Sequence, residues 1–350
     1  MSENNYSLTQ LGWKTYFNQQ LTLEDLEQSS PCRVTQVFKN RLIVLGEDGE
    51  RHLELAQHPS LQVCTVGDWL LTPTSTNDTP ILLDRFSVFQ RKSPGANTSQ
   101  LIAANVDTAF IVSSCNDDFN LSRIERYLAL CKEAQVEAVL VLTKADKVSE
   151  PQLQGYLQQL QQLQIHLVVI TVNALDTQEV QKLNDWCKVG QTVVLLGSSG
   201  VGKTTLSNSL CMRQEATAEI REDDSKGRHT TTGRSLYFTQ QGGQILDCPG
   251  MRELQLTDCE EGIRAVFNDI ELIAKQCKFK NCQHQSEPNC AVIKAAETGE
   301  IEQRRLLNYQ KMLKEQARNS LTLAQSHQQD KAFGKMIKNS LKVKKTRLDR

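Results

Sequence analysis

Two stretches of this 350-residue chain place reactive residue types at spacings that perform chemistry. The first is Gly197-Ser198-Ser199-Gly200-Val201-Gly202-Lys203-Thr204, which fits G-x-x-x-x-G-K-[ST] at every fixed position. At ordinary glycine usage a chance match in a chain this long is on the order of one in a hundred. The match also follows the apolar run TVVLLG and opens the helical run TTLSNSL. Glycines let backbone N–H groups curl around phosphate oxygens, and a helix N-terminus adds its positive end. Lys203 would reach the β- and γ-phosphates, and the Thr204 hydroxyl would bind Mg²⁺, with Thr205 continuing the phosphate-binding run.

The second is Cys277, Cys282, His284 and Cys290, spaced C-x4-C-x-H-x5-C. Three thiolates and one imidazole make a Cys₃His set of the kind structural tetrahedral zinc takes. The segment is charged and poor in apolar residues, so a cross-link would supply what a core does not. One structural zinc is expected. The other eight cysteines are scattered singly and read as reduced, small apolar residues.

The phosphate loop does not choose between ATP and GTP. Thr143-Lys144-Ala145-Asp146, at the end of the apolar strand Glu137–Leu142, would make the choice. A carboxylate there accepts from guanine N1–H and the 2-amine together, and adenine offers neither donor on that edge. The Lys144 stem would pack across the nucleotide. Asn173-Ala174, ending the strand His166–Val172, would lend a backbone N–H to the guanine O6. Asp247-Cys248-Pro249-Gly250 reads as the second Mg²⁺ element, with Asp247 holding the ion through water and Gly250 free to turn toward a γ-phosphate. Within Lys226–Thr232, one of Thr230, Thr231 and Thr232 would complete the Mg²⁺ shell. Many GTPases carry a glutamine after D-x-x-G to orient the attacking water; Met251 stands here instead. Intrinsic hydrolysis should therefore be slow, and His229 is the best-placed candidate to position the water.

The elements that must hold these residues follow from periodicity. From Cys32 to Phe89 five short β-like runs, Arg33–Phe38, Arg41–Leu45, His52–Ala56, Asp68–Thr72 and Ile81–Phe86, suggest a small barrel of the OB type. Arg91–Gly95 reads as a linker. Strands and helices then alternate: Val106–Ser113, helix Leu121–Gln135, Glu137–Thr143, helix Glu150–Gln164, His166–Val172, helix Thr177–Trp186 and Thr192–Gly197. Continuous apolar strands between helices predict a parallel sheet covered on both faces. Glu260–Gln276 and Ala291–Glu315 read as helices flanking the cysteine cluster. The expected fold class is multi-domain, with an N-terminal arm over 1–30, an OB-like β-barrel over 31–90, an α/β P-loop GTPase core over 100–255, a mostly helical zinc-binding domain over 256–325 and a basic tail over 326–350. Residues 331–350 carry eight Lys/Arg against Asp349, a formal +7, which suggests an RNA-binding tail or a solubilising one.

Bulk composition narrows little else. The net charge of −1, with 39% hydrophobic and 23% charged residues, is that of an ordinary globular chain and selects no partner. No apolar run approaches the roughly 20 residues of a membrane span, and MSENNYSLTQ lacks the features of a secretory signal, so a cytoplasmic protein without membrane contact is expected.

The motif order is unusual. Base-reading turn, phosphate loop, threonine run and D-x-x-G succeed one another in an order that a circular permutation of the GTPase core would give. With the OB-like segment, G-R-H-T-T-T, D-C-P-G and the C-x4-C-x-H-x5-C cluster, the chain over roughly 32–320 resembles the bacterial ribosome-small-subunit-dependent GTPase A family. The resemblance implies an OB-fold, a permuted GTPase core and a zinc domain. It further implies action on the 30S subunit and its 16S rRNA late in maturation, GTP hydrolysis stimulated by that subunit, GTP and GDP as ligands, and a monomer. The family carries a histidine before the threonine run, which supports His229. One departure is Asn173, where the family more often has Ser before Ala. The alternatives are a P-loop ATPase or small-molecule kinase, and an RNA-binding scaffold whose nucleotide site only regulates binding.

Overall fold

The computed structural model describes residues 6–74, 79–92, 99–161, 163, 167–211, 234–247, 259–317 and 319. The chain forms two compact units. One comprises Met1–Gln90, Leu101–Leu254 and Glu261–Val266, and the other Arg91–Gln100, Gln255–Glu260 and Phe267–Arg350.

The nucleotide core of the first unit rests on strands with apolar middles and mostly polar ends. β8 (Thr108–Ser114) and β11 (Thr192–Leu196) are buried along their whole length, as strands with covered faces must be. They pair in parallel with each other, and β8 pairs in parallel with β9 (Glu137–Thr143). β9 pairs in parallel with β10 (Val168–Val172), and β11 with β13 (Gln244–Asp247). β12 (Arg234–Phe238), which the sequence did not signal, adds antiparallel to β13. All five parallel strands thus end on one edge, where their C-terminal loops converge. Helices α3 (Leu121–Glu133), α4 (Glu150–Gln161), α5 (Thr177–Val180) and α6 (Lys203–Cys211) connect them. The helix expected over Thr177–Trp186 tightens into a 3₁₀ turn from Gln181 onward.

The N-terminal segment contributes β1 (Ser29–Val37), β2 (Arg41–Gly46), β3 (Gly49–Glu54), β4 (Trp69–Pro73) and β5 (Ile81–Leu82), all antiparallel, in the order β3-β2-β1-β4-β5. The Glu47-Asp48 turn joins β2 to β3, with Gly49 at φ +97° closing it. No pairing among the described residues closes β3 onto β5, so the strands are seen as an open antiparallel sheet. Instead β1 pairs with β12, Gln36 opposite Ser235, which fuses this sheet to the nucleotide core. Residues 6–28 are also built in. α1 (Thr15–Asn18) and the capped α2 (Leu23–Gln28) lie there, and Leu11 and Phe17 are fully buried against Trp69, Leu71 and Leu83.

Arg33 joins these parts. It is buried on β1 and donates to the carbonyls of Leu11 (2.7 Å) and Asn105 (3.1 Å) and to Gln244 Oε1. Gln244 Nε2 in turn donates to the Gln10 carbonyl at 2.5 Å. Burial pulls the Arg33 guanidinium down to about 10, opposed by Asp107 and Asp68, so it stays charged at neutral pH.

Arg91 and Lys92, expected to start a linker, belong to β6 (Val88–Lys92), which pairs with β7 (Ser99–Ala104) as a separate ribbon. The helix expected over Glu260–Gln276 is broken at Phe267 into α7 (Glu260–Val266) and α8 (Asn268–Ala274). The second unit holds α8, α9 (Ala291–Glu297) and α10 (303–317), packed around Phe267 and Tyr309 and tied by Arg305 to Asp269 at 2.9 and 2.8 Å.

Candidate nucleotide site and metal centre

The loop 197–202 leaves β11 with three glycines at positive φ: Gly197 at +145°, Gly200 at +76° and Gly202 at +99°. Gly197 also passes so close to β8 that a Cβ would lie 2.3 Å from the Val112 carbonyl oxygen. Only glycine satisfies both demands. Val201 anchors the loop in the core, while Ser199, Gly200 and Thr204 are exposed. Lys203, opening α6, donates to the carbonyls of Gly197 (2.7 Å) and Ser198. Thr205 is half-buried in the same turn.

The T-K-A-D turn is stapled to this loop. Thr143 is fully buried, and its hydroxyl lies 2.6 Å from the Val201 carbonyl oxygen and 3.1 Å from that of Ser113. Its side chain therefore positions the turn against the loop. Lys144 sits in the left-handed region at φ +57°, and its Nζ donates to the Gly200 carbonyl at 2.9 Å. Ala145–Lys147 forms a 3₁₀ turn that carries Asp146 into the open, 3.3 Å from Lys147 Nζ. Buried Cys115 lies beside it; burial, helped by the Asp146 charge, pushes its thiol up to about 11. The T-K-A-D turn and the glycine loop, more than fifty positions apart in the chain, are in direct contact.

At the end of β10, Asn173 and Leu175 already spend their amides, on Glu179 (2.8 Å) and on the Asn173 side chain (3.0 Å). The Ala174 carbonyl accepts from Ser209 on α6 at 3.0 Å. This turn is thereby held against the phosphate-loop helix. β13 brings the backbone of Asp247 to the same edge of the sheet, two strands' width from β8 across β11. His229, Thr231, Thr232, Gly250 and Met251 lie outside the described residues, as does the tail 331–350.

The second unit brings Cys277, Cys282, His284 and Cys290 together, with all their donor atoms within 4.8 Å of one another. Zinc–sulfur bonds of about 2.3 Å and zinc–nitrogen bonds of about 2.0 Å in a tetrahedron require edges of about 3.8 Å between sulfurs and about 3.5 Å between sulfur and nitrogen. Cys277 Sγ is 3.7 Å from Cys290 Sγ and 3.6 Å from His284 Nδ1, and His284 Nδ1 is 3.3 Å from Cys290 Sγ. The residues present fit such an ion. His284 and Asn289 adopt positive φ to fold the loop back. Glu287 accepts from the amides of Gln283 and Gln285 at 2.8 and 2.9 Å, and those hydrogen bonds pull its carboxyl down to about 2. Sequence reasoning found the ligands and missed this carboxylate, whose role depends on a loop geometry no local pattern announces.

A phosphate loop at the carboxyl edge of a parallel sheet, with a T-K-A-D turn two strands away that precedes it in the chain, defines a circularly permuted P-loop nucleotide-binding protein. The family model described as RsgA GTPase matches residues 82–257, and one described as 50S ribosome-binding GTPase matches 192–324. A Vibrio parahaemolyticus protein named small ribosomal subunit biogenesis GTPase RsgA 2 is 51% identical over 343 residues, 97% of this chain and 94% of that one. A Mesorhizobium japonicum protein named small ribosomal subunit biogenesis GTPase RsgA is 42% identical, covering 90% of this chain and 91% of that protein. The solved structure of YjeQ from Thermotoga maritima superposes with a TM-score of 0.59 at 24% identity, over 82% of this chain and 98% of that one. That of YloQ, described as a circularly permuted GTPase, gives 0.57 at 22% identity. The chain belongs to the RsgA GTPase family.

Proposed function

We propose that the protein binds and hydrolyses GTP on the small ribosomal subunit, and that nucleotide state times its release during late subunit maturation. The observation that carries the nucleotide half of this reading is the stapling of the T-K-A-D turn to the phosphate loop by Thr143 and Lys144. A purine gripped by Asp146 would then place its phosphates over Gly197–Thr204. The ribosomal half is supported by the names of relatives sharing most of the chain.

Within that reading Asp146 accepts from guanine N1–H and the 2-amine. The amides of its neighbours being spent, Ala174 offers the N–H to O6. Lys203 exchanges its carbonyl partners for β- and γ-phosphate oxygens. Thr204, Asp247 and one of Thr230, Thr231 and Thr232 would hold Mg²⁺, which when bound neutralises charge on those oxygens. His229 orients the attacking water, a task Met251 lacks the atoms for. In the second unit the three cysteines and His284 hold one structural zinc ion. Residues 31–90 form an OB-like RNA-binding module, residues 100–255 the GTPase domain, and residues 256–325 the zinc domain. The +7 tail adds electrostatic affinity for 16S rRNA. The protein works as a cytoplasmic monomer. Among the described residues no helix is long and apolar enough to cross a membrane.

The test is competition at the site. A fluorescent GDP analogue bound to the full chain should be displaced by unlabelled GTP or GDP and untouched by ATP at the same concentrations. Displacement by ATP with equal potency would point instead to an ATPase or kinase.

A further inference from the structure

The Ser198 side chain leaves the phosphate loop toward α3. Its Oγ accepts from Arg123 Nη1, and the buried Tyr127, one turn further along α3, lines the same small cavity as Ser198. The same Arg123 nitrogen donates to Asp118 Oδ1 at 2.7 Å. The arginine backbone is fixed too, because its amide donates to the capping side chain of Asn120 at 3.0 Å. The contact lies at a small cavity between α3 and β8, lined by Ile111, Val112 and Ile124.

We propose that Arg123 is a positioning residue for the phosphate loop: bridging Asp118 and Ser198, it holds the loop in the shape that receives a nucleoside diphosphate. The proposal rests on reading 197–204 as a nucleotide site. The Ser198 carbonyl, with that of Gly197, also orients Lys203, so fixing Ser198 fixes the lysine's starting place. The Arg123–Asp118 pair is open to solvent, at 39% and 32% exposure, and contributes little to folding. Its effect should therefore be read in ligand binding. An interaction with the loop, and not with the transferred phosphate, acts equally on ground and transition states; it changes affinity and leaves kcat alone. GDP and GTP share the diphosphate and should respond alike. A lysine ammonium ends one bond short of the Arg123 Nη1 that serves both acceptors, so it would reach them less well.

The experiment measures GDP and GTP affinity, kcat at saturating GTP, and the urea midpoint of the full chain. The variants are Arg123→Ala, Arg123→Lys, Ser198→Ala and the Arg123→Ala/Ser198→Ala double. Expected are roughly tenfold weaker binding of both nucleotides in Arg123→Ala, kcat within about twofold, and an unchanged midpoint. Arg123→Lys should recover only part of the loss. In the Ser198→Ala background, Arg123→Ala should add less than about twofold. Undiminished affinity in Arg123→Ala, or fully additive losses in the double variant, would overturn the tether. So would retained affinity with collapsed kcat, which would put Arg123 on the transferred phosphate. A wild-type chain that holds neither nucleotide would instead strike down the phosphate-loop reading beneath it.

Discussion

Asp146 stands exposed at the end of a turn locked to the phosphate loop, so its consequences are chemical and not structural. Xanthine carries a carbonyl where guanine has its 2-amine, and an amide side chain suits it better than a carboxylate. Asp146→Asn should therefore weaken GTP binding by about tenfold or more and shift preference toward xanthosine nucleotides. Competition binding with GTP and xanthosine triphosphate checks this, and unchanged GTP affinity would remove Asp146 from the base site. Gly197 answers to a different constraint. An added Cβ would press on the Val112 carbonyl at 2.3 Å, in a backbone conformation other residues avoid. Gly197→Ala should cost about 1–3 kcal/mol in strain or distort the loop, and nucleotide affinity should fall even where the sheet stays folded. Circular dichroism read beside nucleotide binding separates the two effects.

What the sequence made readable in the elements was what local pattern encodes. The glycine loop, the T-K-A-D turn and the four candidate metal-ligand side chains are short runs whose chemistry depends on spacing alone, and β8, β9 and β11 announce themselves by their apolar middles. The joins stayed hidden, because they pair residues about two hundred positions apart that share no period. Arg33 with Gln244, and Gln36 opposite Ser235, are of this kind. The break at Phe267 was hidden too: an aromatic residue inside an amphipathic run looks like a core position, and its packing on Tyr309 emerges only in three dimensions. Arg33→Met should leave buried carbonyls and Gln244 without their donor, lowering stability by about 3 kcal/mol or more. A denaturant midpoint barely changed from wild type would refute that account of the join. The second unit has a core of Phe267, Ile270, Val292, Leu306, Tyr309 and Met312, but the loop 277–290 is charged and mostly exposed, so the loop should depend on its metal. Purified protein should carry about one zinc per chain, and Cys282→Ala should lose it and make 259–317 protease-sensitive. Metal-free protein with an intact, resistant C-terminal unit would contradict the zinc assignment.

Permutation changes what the switch can pull on. In this chain the phosphate loop and base turn come first, and the D-x-x-G after β13 leads straight into α7 and the C-terminal unit. The start of β13 is held by Arg33, Thr192 and the N-terminal segment, since Gln244 bonds to all three. One end of β13 is therefore anchored to the N-terminal sheet, and the chain beyond the other end continues into the unit that carries the Cys277–Cys290 cluster. Such wiring suits a GTPase that senses a large surface through its flanking parts and whose own hydrolysis, lacking a glutamine after D-x-x-G, is slow. The most direct measurement is the GTP turnover of the full chain with and without purified small ribosomal subunits, with large subunits as the control. The account predicts slow turnover alone, a rise of at least about tenfold with small subunits, and no comparable rise with large ones. Turnover indifferent to small subunits, or raised equally by both, would contradict it.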